Sequence, residues 1–533
     1  MPALLALALA ACKDEVPEDT GWAPELACPG STGCEDNSGP LFAGASALSL
    51  LPDCMESWED VDGSGTWSKS ADGFLDCGCD ALCPDDEGYP GPDEGEGDGE
   101  FQAIWMGGFG NGHPAASFGD DIQARALVLR QGDSAVAVVS VDLVGLFNPD
   151  VVRVREMALT AGLDLDHVII SATHTHEGPD TVGLWGPGIG KSGYVESYGE
   201  QVRETLLEAL IEADAAAVEV ADTRLGSSDA RTYHPERGSA NVLRDTRDPV
   251  IANWEVGTLQ LVDNHGDTIA TVVNWGCHPE TLDDNNHGIS SDFAHSLRET
   301  VESGSSWPDG SGKEGVGGVA IYLQGAVGGM MTTLHVETET PDGRELTGDS
   351  YEHTYAIGTL LGEMALDAVA GGISSEPQLS FEHSTFELSV DNIAFQAMFN
   401  LGVFPERPLP GYDPTQNISD DNWPRVVTDM DHLQLGGLEL LTIPGELFPE
   451  LAMGGYDGSL TGSPLYEVIS EGNENPPDLA KAPDGPYLLD QMQGSHRWIV
   501  GLANDEVGYI IPTFNFELHE YTPYLAEAAG HHY

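Results

Sequence analysis

From Phe101 onward, short apolar runs bounded by turn residues alternate with longer stretches of helical period. Ala126–Leu129, Ala135–Val141, Val168–Ala172, Thr258–Val262, Ile269–Val273, Val319–Leu323 and Leu438–Ile443 are β-branched or apolar throughout and predict strands. Val152–Ala161, Tyr198–Ala215, Ser291–Val301 and His353–Val369 predict helices, the last with Leu360, Leu361, Met364 and Ala368 on one face. This alternation implies an α/β fold, a large mixed sheet with flanking helices. No internal repeat and no second linker break the span, so residues 101–533 read as one domain.

The first hundred residues have a different texture. Residues 1–12 are an apolar run closed by Leu9-Ala10-Ala11-Cys12, the pattern of a bacterial lipobox, which predicts a lipoprotein signal peptide and lipid on Cys12. The run lacks a positive n-region, and a start upstream is expected. Lys13 after the cysteine favours the outer membrane or cell surface over inner-membrane retention. Residues 13–100 read as an acidic, cysteine-rich segment ending in the linker DDEGYPGPDEGEGDGE. Six of the eight cysteines, Cys28, Cys34, Cys54, Cys77, Cys79 and Cys83, lie here, and three disulfides in an oxidising compartment are expected, with fifteen pairings open. The spacings lack the doubled CxxC of a zinc knuckle. Asp60 and Asp62 start a run like a calcium loop, but its twelfth position is Ala71 and not Glu, so a turn or a weak Ca2+ site is expected.

Charge narrows the function classes. Twenty Lys and Arg against 89 Asp and Glu leave a net charge of −69, a field that repels nucleic acid and anionic membranes. No nucleic-acid partner is expected. No run of eighteen apolar residues follows the N-terminus, so no helix is expected to span a membrane.

Candidate chemistry collects at strand ends. Val168–Thr173 runs into His174-Thr175-His176, Thr271–Cys277 into His278-Pro279-Glu280, Leu438–Ile443 into Pro444-Gly445-Glu446, and Trp498–Leu502 toward Asn504, Asp505 and Tyr509. Ligands in open α/β sheets gather beyond the carboxyl ends of strands. On an extended segment an HxH pair projects both imidazoles to one side, a metal-ligand geometry that His278 and Glu446 could complete. Against this, a strand-end histidine can serve a carbonyl, Glu446 can favour a helix N-terminus, and Cys277 reads as a buried small hydrophobe more than as a nucleophile. The metallo-β-lactamase pattern HxHxDH is absent. The residues by themselves point to a zinc hydrolase.

In order along the chain, Gly107–Leu129, Ser140-Val-Asp142, Thr173-His-Thr-His176-Glu-Gly-Pro179, Asn274-Trp-Gly-Cys-His278-Pro279, Ser290-Ser-Asp292, Ile443-Pro-Gly-Glu446 and Gly501–Tyr509 form a set. The set resembles the catalytic domain of neutral/alkaline ceramidases, zinc amidases that hydrolyse the N-acyl bond of ceramide. The resemblance implies zinc ligands at His174, His278, Glu446 and Tyr509. It implies catalytic roles for His176 as a proton relay, for Arg237 facing the substrate, and for Tyr521 as a donor to the oxyanion. Zinc would acidify a bound water and polarise the carbonyl.

Two departures bear on substrate. In Gln324-Gly-Ala-Val-Gly-Gly-Met-Met-Thr-Thr333, Met331 stands where the family carries a functional serine. After Tyr533 no appended β-sandwich is expected, so membrane approach would rest on the lipid at Cys12. The expectation is a lipid-anchored, zinc-dependent amidohydrolase acting on ceramide or a related acylated lipid. The alternatives are a hydrolase of the same fold acting on another amide or ester, and a non-catalytic metal-containing surface lipoprotein.

Overall fold

The computed structural model describes residues 24–515 apart from 80–81, 94, 233–241, 246, 330, 406, 463–466 and 474–475. Cys12, Arg237 and Tyr521, to which the sequence assigns lipidation, substrate contact and oxyanion donation, lie outside the described residues.

Every predicted strand and helix forms, most of them a residue or more longer than predicted. The large sheet runs, in spatial order, Val319–Gln324, Thr268–Trp275, Glu255–Asp263, Val218–Asp229, Leu41–Ser49, Gln123–Gln131, Ser134–Val141 and His167–Ala172, with Ile373–Ser374 paired on Val218–Asp229. Its outermost pairs, Ser134–Val141 with His167–Ala172 and Thr268–Trp275 with Val319–Gln324, are parallel. The sheet curls: Arg125 Nη1 donates to Ala320 O and Ser140 Oγ to Tyr322 O, which sets strand Val319–Gln324 against strands from the other half. A second sheet orders Leu26–Cys28, Leu379–Ser389, Arg425–Leu435, Leu438–Thr442 and His496–Val500.

Apolar faces account for the layering. Leu127, Leu129, Val136, Val138 and Ile169 of the large sheet meet Phe381, Leu433, Leu435, Leu440 and Trp498 of the second. The helices Asn148–Ala161 and Glu196–Ala215 cover one part of the large sheet, and Phe293–Ser303 and Tyr351–Gly371 another. Gly358 lets the last two helices touch: a Cβ there would lie 2.1 Å from Phe293 O. Full burial of each large aliphatic or aromatic side chain in these layers stabilises by roughly 1.5–3 kcal/mol before entropy is counted.

Leu41–Ser49 sits inside the large sheet, paired with Gln123–Gln131 along its whole length and with Val218–Asp229 at its start. Leu26–Cys28 edges the second sheet. The cysteine-rich segment therefore supplies sheet and core, and strands from both sides of the expected boundary at residue 101 share the sheets. Short alternation in LFAGASALS, with small residues throughout, hides this strand from the hydrophobic pattern. The three disulfides are Cys28–Cys34, Cys54–Cys79 and Cys77–Cys83, which fits an exported protein in an oxidising compartment. Among the described residues no helix is long and apolar enough to cross a membrane.

Candidate metal centre

The four strand ends converge. Gln324, the last residue of its strand, donates Nε2 at 2.8 Å to both Thr173 O and Cys277 O, and so ties the two histidine-bearing turns together. From the second sheet, Gly501 N donates to Gln324 O at 3.0 Å and Gly501 O accepts from Ser171 Oγ at 3.0 Å.

His174 lies beyond the end of strand His167–Ala172 and takes a left-handed backbone, φ 67°. The pair is thus aimed by a turn and not by the period of an extended strand, which corrects the sequence expectation. A non-glycine residue there is strained by about 1 kcal/mol or more and is held by its neighbours: Thr173 N donates to Val141 O and His174 N to Leu143 O. The turn brings His174, His176 and His278 together, all buried, with one ligand nitrogen of each within 4.8 Å of the others. Gly108, φ +119°, makes room, since a Cβ there would fall 2.4 Å from His176 Cγ.

The tautomers of two imidazoles are set from behind. His174 Nδ1 is 2.6 Å from Val144 O and His278 Nδ1 is 2.8 Å from Met331 O, so each Nδ1–H donates to a carbonyl and each Nε2 is turned toward the site. Both Nε2 atoms face Glu446 Oε2, at 3.5 Å from His174 and 3.1 Å from His278. Burial pushes the Glu446 carboxyl up, but His174 and His278 overcome it and hold it far below the usual carboxylate range. Conversely, burial lowers the His278 imidazole while Glu446 and Glu280 raise it, to about 9. A buried carboxylate that draws on imidazoles for its counter-charge, with ring nitrogens aimed at it, is a donor set that fits a divalent cation.

Glu446 is in the short strand Glu446–Leu447, not at a helix N-terminus, and pairs in parallel with Tyr509–Ile510, which sets Tyr509 directly opposite Glu446. The Tyr509 ring is half-buried and lies edge-on to Phe448, centroids 6.2 Å apart. His176 Nδ1 lies 3.2 Å from Glu280 Oε2, and its ring is 4.9 Å from that of His174 and 5.5 Å from that of His278. Burial lowers the His176 imidazole despite Glu280.

Cys277, Asp142, Asn504 and Asp505 prove structural. Cys277 is the free cysteine among the described residues; it is fully buried, and burial pushes its thiol well up, so it is no nucleophile. Asp142 takes a bidentate contact from Arg298 at 2.8 and 2.7 Å in the core. Asn504 bridges Ile170 N and Asp431, and Asp505 accepts from Arg407 at 2.7 Å. Asp60, Asp62 and Asp72 bring carboxylate oxygens within 4.8 Å of one another, with Asp60 already accepting from the N–H groups of Gly63, Ser64 and Gly65. A second buried group, His167, His383 and Asp431, has Arg155 Nη2 3.2 Å from His167 Nε2, a fixed cation where an ion would have to sit. Sequence reasoning missed Gln324 and the two carbonyls of Val144 and Met331; a carbonyl carries no side-chain signal.

No family model matches the chain and no curated protein sequence matches it. Solved structures do. The chain superposes on a neutral ceramidase from Pseudomonas aeruginosa with a TM-score of 0.56 at 16% identity, covering 92% of this chain and 72% of that one. The fold is the neutral ceramidase fold. A second structure, described as a ceramidase complexed with C2, gives 0.54 at 16% identity, covering 92% and 73%. The ordered motifs singled out in the sequence thus lie in a chain with the predicted architecture.

Proposed function

We propose that this chain is a zinc-dependent amidohydrolase that cleaves the N-acyl amide bond of ceramide or of a related acylated lipid, with the metal held by His174, His278, Glu446 and Tyr509. One observation carries the reading: two imidazoles, each pinned at Nδ1 by a carbonyl, aim Nε2 at one buried carboxylate, in a chain with the ceramidase fold. Bound zinc supplies Lewis acidity, toward water and toward an acyl carbonyl.

The chain's own side chains do the rest. His176, whose lowered basicity leaves it neutral at ordinary pH, takes up a proton and returns it to the leaving amine, and Glu280 fixes its ring. Arg237 orients the substrate and Tyr521 donates a hydrogen bond to the developing oxyanion, a contact commonly worth roughly 3 kcal/mol. Residues 101–533 carry this machinery on a sheet that borrows Leu41–Ser49. Lipid on Cys12 anchors the exported protein at the outer membrane or cell surface.

Hydrolysis of a different amide or ester is favoured by one observation, the Met331 side chain, which is buried in the core where a hydroxyl would be expected to face substrate. Zinc analysis of the purified full chain, followed by assay on ceramide, N-acyl amino acids and simple esters, separates the readings. About one zinc per chain and amide hydrolysis are expected. A metal-free protein, or a zinc protein inert on every acyl substrate, overturns the proposal.

A further inference from the structure

The helix Ile393–Leu401 carries large apolar residues on two sides: Phe395, Met398 and Phe399 pack, half-buried, on the body of the protein, while Ile393 and Leu401 face solvent. Its sequence, IAFQAMFNL, is apolar at seven of nine positions, yet among its residues only polar Gln396 is buried, donating Nε2 to Val390 O at 2.7 Å. Ile393 is 69% exposed and Leu401 67%. The helix is nonetheless well made: Asn392 caps its start and Gly402, left-handed, ends it. Beside it runs the segment 181–195, whose Ile189 is 89% exposed and whose Gly190 approaches Leu401. Isolated exposed aliphatic residues are ordinary, but a capped helix that leaves Ile393 and Leu401 outward next to a second apolar tip, Ile189, is a patch with a use.

The patch adjoins the metal centre. Phe395, Met398, Phe399 and Trp185 pack, half-buried, on a cluster that contains Val144. Val144 is the residue whose carbonyl fixes His174.

Charge says what covers it. The chain carries 89 acids in 533 residues, about one in six, yet residues 181–195 and 392–405 contain no Asp or Glu and a single cation, Lys191. Residues 101–119, which carry Gly108 and Phe109 against His176, also lack acids. A second copy of a chain with net charge −69 would be repelled, as would an anionic bilayer, and a basic partner would find its complement anywhere but on this acid-free face. A neutral surface meets no such opposition. Next to the patch, a cleft of about 590 Å³ places Arg153, Arg203 and Arg407 among Asp150, Glu156, Glu196 and Glu200, a lining of both signs that can meet a dipolar headgroup.

We propose that the helix Ile393–Leu401 and the 181–195 segment form a docking surface for a neutral, zwitterionic lipid bilayer at the rim of the metal centre, with Ile189, Ile393 and Leu401 inserted among the acyl chains and the aromatic rings at interface depth. The benefit of this placement for turnover rests on the lipid-hydrolase reading, but docking itself is read without turnover.

The test uses the full chain with Cys12→Ser, so that no acyl anchor contributes, sedimented with phosphatidylcholine vesicles with and without phosphatidylserine. The wild-type surface binds phosphatidylcholine, and phosphatidylserine weakens binding. The triple variant Ile189→Ser, Ile393→Ser, Leu401→Ser weakens it by about a thousandfold with unaltered melting, since each exposed aliphatic chain is worth about tenfold. Absence of wild-type binding to phosphatidylcholine, undiminished binding by the triple variant, or a wild-type dimer that the triple variant abolishes would overturn the proposal. Vesicle binding by a chain inert on every acyl lipid would leave docking standing and remove the proposed function.

Discussion

The carbonyl of Met331 accepts twice from His278, from its backbone N–H at 3.1 Å and from Nδ1 at 2.8 Å, while the Met331 side chain is wholly buried in the core beneath the site. Met331, which the sequence resemblance sets at a serine position, therefore acts through its backbone, and its thioether serves packing alone. Met331→Ser should consequently not restore a missing function. It removes buried volume and leaves a hydroxyl in an apolar cluster, at a cost of roughly 2–5 kcal/mol. Denaturant unfolding reads that loss, while the zinc content of the folded fraction stays unchanged because the carbonyl remains. A marked gain in ceramide turnover would show that the serine position faces substrate.

Gln324 gives a sharper test of how the site is assembled. Its amide donates to Thr173 O and Cys277 O, and its Oε1 accepts from Cys277 N at 3.1 Å. Gln324→Glu keeps the size and the acceptor but turns a carboxylate oxygen toward two carbonyls. Destabilisation of roughly 2–4 kcal/mol is expected, since buried groups lose their partners, together with a fall in zinc affinity as the two histidine turns separate. Zinc titration of Gln324→Glu against wild type measures the second effect, and equal affinities would show that the turns hold their places without this bridge.

The sequence made the scaffold more legible than the site's supports. Runs such as Ser134–Val141 and Val319–Gln324 are buried on both faces and read as strands on composition alone. Leu41–Ser49 did not, because its alanines, serines and glycine pack against Glu196–Ala215 with too little apolar bulk to register, and Gly44 in particular leaves space for Ala213 and Ala217. His174, His278 and Glu446 were recognisable by residue type and by place at strand ends. What aims them was not, since the left-handed turn at His174 and the carbonyls of Val144 and Met331 are properties of backbone path.

His176 belongs to the histidine group but is assigned here to proton transfer, and substitution separates the two roles. His278→Asn should lower zinc to about a tenth of wild type or less and abolish hydrolysis. His176→Asn should keep about one zinc per chain while kcat falls by roughly 10²–10⁴. Chelation of the wild type should reproduce the His278→Asn loss and added zinc should reverse it. Metal analysis of the three preparations decides, and loss of zinc from His176→Asn would make His176 a ligand.

His113 offers a stability prediction away from the metal. Its ring is buried against His287, centroids 4.2 Å apart and nearly perpendicular, and its Nε2 has no hydrogen-bond partner. Burial, with help from the neighbouring His287, lowers this imidazole to about 4 from its ordinary 6.5. Above pH 6.5 the ring is neutral in the folded and the unfolded chain, and pH does not act through it. Between 6.5 and 4 the unfolded chain binds a proton that the folded chain refuses, so stability falls as pH falls, by roughly 3 kcal/mol across the window. His113→Gln removes that linkage. The variant should be less stable than wild type at pH 7.5, and the gap should shrink by about that amount by pH 4.5, where acids elsewhere titrate alike in both chains and cancel in the difference. Urea unfolding at intervals across the window measures it, and parallel curves for the two chains would show that His113 is protonated in the fold.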